Sequence, residues 1–479
     1  MKKIFLSIIF ILCNVITAQN KDKEIDDIIN REMKERKIPG LQVSIVQNGN
    51  IVLSKSYGIA NLQNNIPVNN QSIFAINSIT KVFTAVAVMK LIEEGKLNLS
   101  EPVSKYLDIY PSAWDSSINI KHLLTHTSGL PDMLKILDQN TGGVGSLKNE
   151  EGVWEKLKGI PMDFKPGDKF SYNQTNAYLL GKLIDKFSGK PFAEYFYDFE
   201  FKPLGINNIV FGDSRDVIQN LAPTYFWRKS IDGKELENPV LINNYFEFPY
   251  FRRTASGLNS SAEDIARWII ALQSEKLIKR SSLEVMWSPS VFNNGKSTPW
   301  SLGWGMNKFR KVHRAVGMSG GGRSAFLLYP DDDLAVIVLT NLGGSFPEDF
   351  LEELAGIYNP EIVKADPITN LRIELRKIGF ENAISFSKKE MRKNPLFVPN
   401  EFEVNEWAYR LMMKGQNKEA LEIFKLNTYL FPESWNVYDS YGEILLKLGD
   451  NKQAAEMYKK SIVLNPENEN GKKVLEKLR

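Results

Sequence analysis

The chain has 479 residues, of which 43% are hydrophobic, 11% aromatic and 24% charged, a composition that excludes disordered, fibrous and disulfide-scaffold classes. A net charge of +3 gives no field to gather nucleic acid or an anionic membrane. Cys13 and the histidines His122, His126 and His313 are too few for a disulfide framework or a Cys-rich metal site, and the length fits about three domains, or one large catalytic domain with an appendage.

Met1-Lys2-Lys3, the apolar run Ile4 to Leu12 and the small residue Ala18 form a leader with a cut site after Ala18, so residues 1–18 are expected to be a signal peptide and the protein to be exported. The apolar run is shorter than the ~20 residues of a spanning helix. Leu12 before Cys13 disfavours lipid anchoring, and cleavage would remove the only cysteine. The destination is then periplasmic or extracellular.

From residue 21 to about 360 the segments mix. Leu41 to Val46 and Ile51 to Ser56 read as strands joined through Asn48-Gly49-Asn50, and Phe326 to Tyr329 with Leu334 to Leu339 form a second pair around Pro330-Asp331-Asp332-Asp333. Helical patterns such as Val82 to Glu93 and Ala262 to Leu272 lie between them. Strands from both ends of one domain predict an α/β (α+β) fold with a single antiparallel sheet flanked by helices.

Ser78-Ile79-Thr80-Lys81 fits S-x-x-K. If Ser78 opens a helix, Lys81 lies one turn on along the same face, where a desolvated amine can take the hydroxyl proton. The helix N-terminus favours a developing oxyanion. On these four residues alone Ser78 reads more readily as an N-cap with Lys81 a solvated first-turn residue, and Ser385-Phe386-Ser387-Lys388 satisfies the same pattern. His122 and His126 stand four apart, but Leu123 occupies the position of a zincin glutamate and no third ligand is evident, so no metal is expected.

Six further segments occur in order: Phe74 to Lys81; Leu123-Leu124-Thr125-His126-Thr127-Ser128-Gly129-Leu130-Pro131; Pro166 to Tyr172; Ser256 to Asp264; Leu302-Gly303-Trp304-Gly305; and Gly317-Met318-Ser319-Gly320-Gly321. Together they resemble the serine beta-lactamase and penicillin-binding-protein superfamily, in its class C-like esterase and D-aminopeptidase branch, over about two thirds of the chain. The resemblance implies an antiparallel sheet with helices on both faces plus a helical lobe, with the active site between them. It implies Ser78 as acylated nucleophile, Lys81 as its base, Tyr172 as proton shuttle and the N–H groups of Ser78 and Gly321 as oxyanion hole. Substrate contacts would come from Gln174, Met318, Ser319 and Gly320, and no cofactor is implied; Trp304, read from the residues alone, lines the substrate pocket or packs in the core. Two departures stand out: Tyr172-Asn173-Gln174 replaces Tyr-x-Asn, with Ser171-Tyr172-Asn173 as an alternative frame, and Met318 replaces the usual Lys or His, which weakens any reading of carboxylate substrates. The aromatics Tyr245, Phe246, Phe248, Tyr250 and Phe251 are pocket or core.

After a helical linker over 361–403, residues 404–479 are self-similar at a spacing of 34: Trp407 and Tyr441, Ala420 and Ala454, Phe424 and Tyr458, Pro432 and Pro466. This resembles the tetratricopeptide repeat and implies an all-α tail that docks a protein partner, caps the main domain or makes a self-contact. A helix is expected from Ile368 to Lys393 as its packing partner. Two functions remain open: an exported serine hydrolase acting on an ester, amide or lactam carbonyl of a small-molecule or peptide-like substrate, and a non-catalytic binding protein that keeps the fold.

Overall fold

Asn48 and Gly49 both take positive φ, 51° and 68°, the conformation of a two-residue turn whose twist matches its strands. The turn joins Gly40–Gln47 to Asn50–Asn61. The computed structural model describes residues 20–134, 136, 150–231 and 234–478. The expected leader, its cut site and Cys13 lie outside the described residues.

Seven strands form the main sheet, in the order Ile66–Pro67, Asn50–Asn61, Gly40–Gln47, Leu334–Thr340, Ser324–Tyr329, Ala315–Gly320 and Met306–Lys308. All its pairings are antiparallel, and Leu41 faces Thr340 while Gln47 faces Leu334. The early and late hairpins of the sequence thus close one sheet. Leu334–Thr340 is buried along its whole length, which explains its unbroken run of apolar residues. Two three-stranded sheets accompany it, one of which joins Phe74–Ala75 and Ile209–Phe211 through Leu258–Ser260.

The helix Thr80–Glu93 is apolar on every side from Val82 to Met89, and all eight of those residues are buried. It forms the central column of the core. Ala262–Gln273 starts where Ser261 Oγ accepts the Asp264 N–H, with Glu263 and Asp264 suited to the positive end of its dipole. Its first N–H, on Ala262, donates to Gln42 Oε1 at 2.9 Å and ties the helix to the sheet.

The chain divides into two compact units, Met1–Leu351 and Glu352–Arg479. The second unit is helical. The stretch expected to be helical from Ile368 to Lys393 holds two helices, Pro367–Ile378 and Ala383–Lys393, and Gly379 at φ 90° ends the first. The spacing of 34 brings Ala420 and Phe424 of Asn417–Leu430, and Ala454 and Tyr458 of Asn451–Leu464, to matching buried points.

Candidate active site

Ser78 sits in the one-turn 3-10 segment Asn77–Ile79 that leads into Thr80–Glu93. The chain enters from Phe74–Ala75, and Asn77 is bent to φ 45° to make the turn. Two bonds hold the corner: Ile76 N–H donates to Leu258 O at 3.1 Å, and Leu258 N–H donates to Thr80 Oγ1 at 3.1 Å. The hydroxyl is left partly exposed, while Lys81, one turn deeper, is only 5% exposed.

Lys81 Nζ lies 3.4 Å from Ser78 Oγ, 3.2 Å from Gln174 Oε1 and 2.8 Å from Ala255 O. A neutral amine has two N–H bonds and one lone pair. The two oxygens absorb the N–H bonds, which turns the lone pair toward the serine. Burial, helped by the nearby Arg252 charge and opposed by Asp132, brings the Lys81 pKa down to about 7. Tyr172 Oη donates to Ser78 Oγ at 2.7 Å, and Lys81 Nζ stands 4.7 Å from the centre of the Tyr172 ring. Burial pushes the phenol up to about 12, so it keeps its proton near neutral pH. Its ring packs 4.7 Å from His126 and 5.3 Å from Trp300, centre to centre.

The frame of the second motif is decided by Asn173. Its Oδ1 accepts the Thr175 N–H at 2.7 Å, capping Gln174–Ser188, and its Nδ2 donates to Leu130 O, so it is spent on structure. Gln174 is the amide that reaches Lys81. His126 is buried and satisfied: its Nδ1 is 3.2 Å from Asn173 N and 3.1 Å from Asn176 Nδ2, and burial holds it well below its usual pKa. The other S-x-x-K lies within Ala383–Lys393, where Ser385 Oγ donates to Asn382 O and Lys388 Nζ stands over Tyr429. It forms no serine–lysine pair.

The strand edge Met318-Ser319-Gly320 closes the other wall. A Cβ on Gly320 would sit 1.9 Å from Ile76 O, so only glycine lets this strand press against the corner before Ser78. Gly321 follows at φ 60°, and the N–H groups of Ser78 and Gly321 are not spent on turn or loop hydrogen bonds. Ser319 is partly exposed, and among the described residues no hydrogen bond holds its hydroxyl.

Two expected substrate contacts are corrected. Met318 is 2% exposed and packs into the core, because alternation along the strand turns it away from the exposed Ser319. Trp304 is fully buried, stacked 6.5 Å from Trp268 and edge-on to Trp287 and Phe326. Of the aromatics left open between pocket and core, Phe251 is core, while Tyr245 and Tyr250 are exposed.

Sequence reasoning missed Arg252, Asp132 and Trp300. The Arg252 Nε and Nη1 are buried with no hydrogen-bond partner among the described residues, and burial lowers the pKa of this guanidinium. Asp132 accepts the Leu134 and Gln174 N–H groups at 3.0 and 3.3 Å, and burial raises its carboxyl. An arginine directly after the aromatic run Tyr245 to Phe251, the first of the pair Arg252-Arg253, was the available signal.

The Beta-lactamase family model matches residues 25–356. Protein flp of Staphylococcus aureus (strain MW2) is 26% identical over 345 residues, covering 70% of this chain and 66% of that protein, so the chain spans somewhat under two thirds of its length. Penicillin-binding protein 4* of Bacillus subtilis (strain 168) is 28% identical over 330 residues, covering 67% of this chain and 72% of that one. Among solved structures, the octameric penicillin-binding protein homologue from Pyrococcus abyssi matches with a TM-score of 0.62 and 28% identity, over 74% of this chain and 81% of that chain.

Proposed function

The chain belongs to the Beta-lactamase family, and from that premise we propose that it is an exported serine hydrolase that opens an ester, amide or lactam carbonyl through an acyl-Ser78 intermediate. The observation that carries the reading is the hydroxyl of Ser78 held between a depressed amine, Lys81, and a protonated phenol, Tyr172, at 3.4 and 2.7 Å.

Lys81, neutral in a useful fraction of molecules near pH 7, takes the Ser78 proton as Oγ attacks the carbonyl carbon. The carbonyl π pair moves onto oxygen, where the N–H groups of Ser78 and Gly321 stabilise it. Tyr172 gives its proton to the departing alkoxide or amine and recovers one from the Lys81 ammonium. The carbonyl re-forms as that bond breaks, leaving acyl-Ser78. Water then attacks, the neutral Lys81 amine accepts its proton, and Ser78 Oγ leaves with a proton from Tyr172, which recovers one from the Lys81 ammonium, releasing the acid.

Ser78→Ala tests this. The wild-type chain should release a burst from a short-chain aryl ester and take up one activated phosphonate at Ser78, and the variant should do neither. Labelling at another residue, or no turnover of aryl esters, D-amino-acid amides and a chromogenic cephalosporin by the wild type, would sink the assignment. Export through residues 1–18 and the reading of residues 404–479 as tetratricopeptide repeats that dock a partner belong to the same proposal. N-terminal sequencing of secreted protein checks the first, and a pull-down that depends on residues 404–479 checks the second.

A further inference from the structure

A cavity of about 470 Å3 opens beside the strand that leads to Ser78, with Ala75 in its wall. That volume falls in the ~300–1,000 Å3 range of small-ligand sites. Its lining contains the amides Asn61, Asn64, Asn243 and Asn244, together with Tyr245 and Phe246, and among the described residues no charged side chain.

Several of these polar groups are idle. Gln63, also in the wall, is consumed internally: its Nε2 donates to Asn243 Oδ1 at 3.0 Å and its Oε1 accepts from Tyr225 Oη at 2.9 Å. Asn61 Oδ1 accepts the Asn64 N–H. Among the described residues, what remains open is the Nδ2 of Asn61 and of Asn243, and the whole side-chain amides of Asn64 and Asn244. Tyr245 is 62% exposed, a large phenol held at the surface rather than packed away. An amide offers two donors and a two-lone-pair acceptor without charge. The matching ligand is neutral and carries many groups that both donate and accept. Hydroxyls on a ring do so, and the ring's C–H face lies well on an aromatic side chain. Ionic ligands find no counter-charge in the wall, and apolar ligands would strand the amides.

We propose that this cavity binds a neutral saccharide. It adjoins the catalytic wall through short links. Ser324 Oγ donates to Ala75 O at 3.1 Å, and the Arg323 guanidinium stands 5.4 Å from the centre of the Phe246 ring. A sugar held here therefore lies next to the Gly321 side of the Ser78 groove, so the carbonyl substrate can be a glycan-linked one. The binding itself does not depend on acylation.

The test is titration of the full chain, as wild type and as Ser78→Ala, with chitotriose and cellotriose by calorimetry. An acidic trisaccharide and an acetylated, amidated alanine tetrapeptide serve as controls. Saturable binding of a neutral trisaccharide to both proteins is expected, weakened at least ~10-fold by Asn64→Ala with Asn244→Ala, as loss of two polar contacts predicts. An unchanged thermal melt shows that the double variant is folded; if it is not, the exposed Tyr245→Ala replaces it with the same expected loss. No binding of either neutral sugar, preference for the peptide or acidic control, or indifference to these substitutions would overturn the proposal. Sugar binding to Ser78→Ala survives even if the hydrolase reading fails.

Discussion

Gln174 Oε1 stands 3.2 Å from Lys81 Nζ, so the longer side chain that replaces the family's asparagine still takes an N–H from the amine. With Ala255 O on the other N–H at 2.8 Å, the lone pair is aimed rather than free to rotate. Gln174→Ala should lower kcat by ~10–100-fold, within the range of a general-base contribution, while KM changes little. Gln174→Leu, which keeps the bulk, should do the same. Equal loss in KM would mean that the amide holds substrate instead.

The acid limb of turnover should follow Lys81. Protonation below about 7 removes the base, so kcat/KM should fall as pH drops through that value. A limb displaced to lower pH but above the ordinary carboxylate range, where burial holds this carboxyl, would point to Asp132 instead.

The same depressed pKa has a stability counterpart. Between about 7 and the ordinary lysine value near 10.5, the unfolded chain holds a proton on Lys81 that the folded chain lacks, so this group's contribution to stability rises with pH across that window. Below it the ammonium is buried at a cost. Lys81→Met should therefore raise Tm relative to wild type most at pH 6, with the advantage shrinking toward pH 10. Melting curves at the two pH values decide it.

Gly320→Ala would set a methyl 1.9 Å from Ile76 O, against backbone on both sides. The strand must withdraw from the corner that carries Ser78. Overpacking of this kind costs ~1–3 kcal/mol, and the shift also moves the Gly321 N–H away from the carbonyl oxygen. Activity should drop by ~100-fold or more in a chain that still folds, as expected for loss of one oxyanion donor. Retained phosphonate labelling at the wild-type rate would separate the glycine from the oxyanion site.

The hairpins were legible because their turn residues and alternation are local: Asn48-Gly49 and the run Leu334 to Leu339 announce themselves. So was the serine–lysine turn, since a spacing of three on a helix fixes which side chains meet. What the sequence could not convey is which way a side chain faces once a strand is placed. Met318 and Trp304 sit inside motifs, and a motif records neighbours in the chain, not neighbours in space. Burial of Arg252 beside Lys81 is likewise tertiary, because the two are far apart in sequence. The tail's two-helix break at Gly379 was readable in principle from the glycine alone.

That facing error gives the last prediction. If Met318 pointed into the groove, Met318→Lys would restore the family's cation and improve binding of carboxylate substrates. In this structure residue 318 is 2% exposed among apolar neighbours, so the new ammonium would be buried without a partner. Burying a charge in that setting costs several kcal/mol or forces the lysine to lose its proton. Met318→Lys should lower Tm sharply and leave the KM of carboxylate and neutral substrates in the same ratio. The Met318→Leu control, similar in volume, should cost less than ~1.5 kcal/mol. A KM that falls only for carboxylate substrates, with Tm intact, would put position 318 back in the groove.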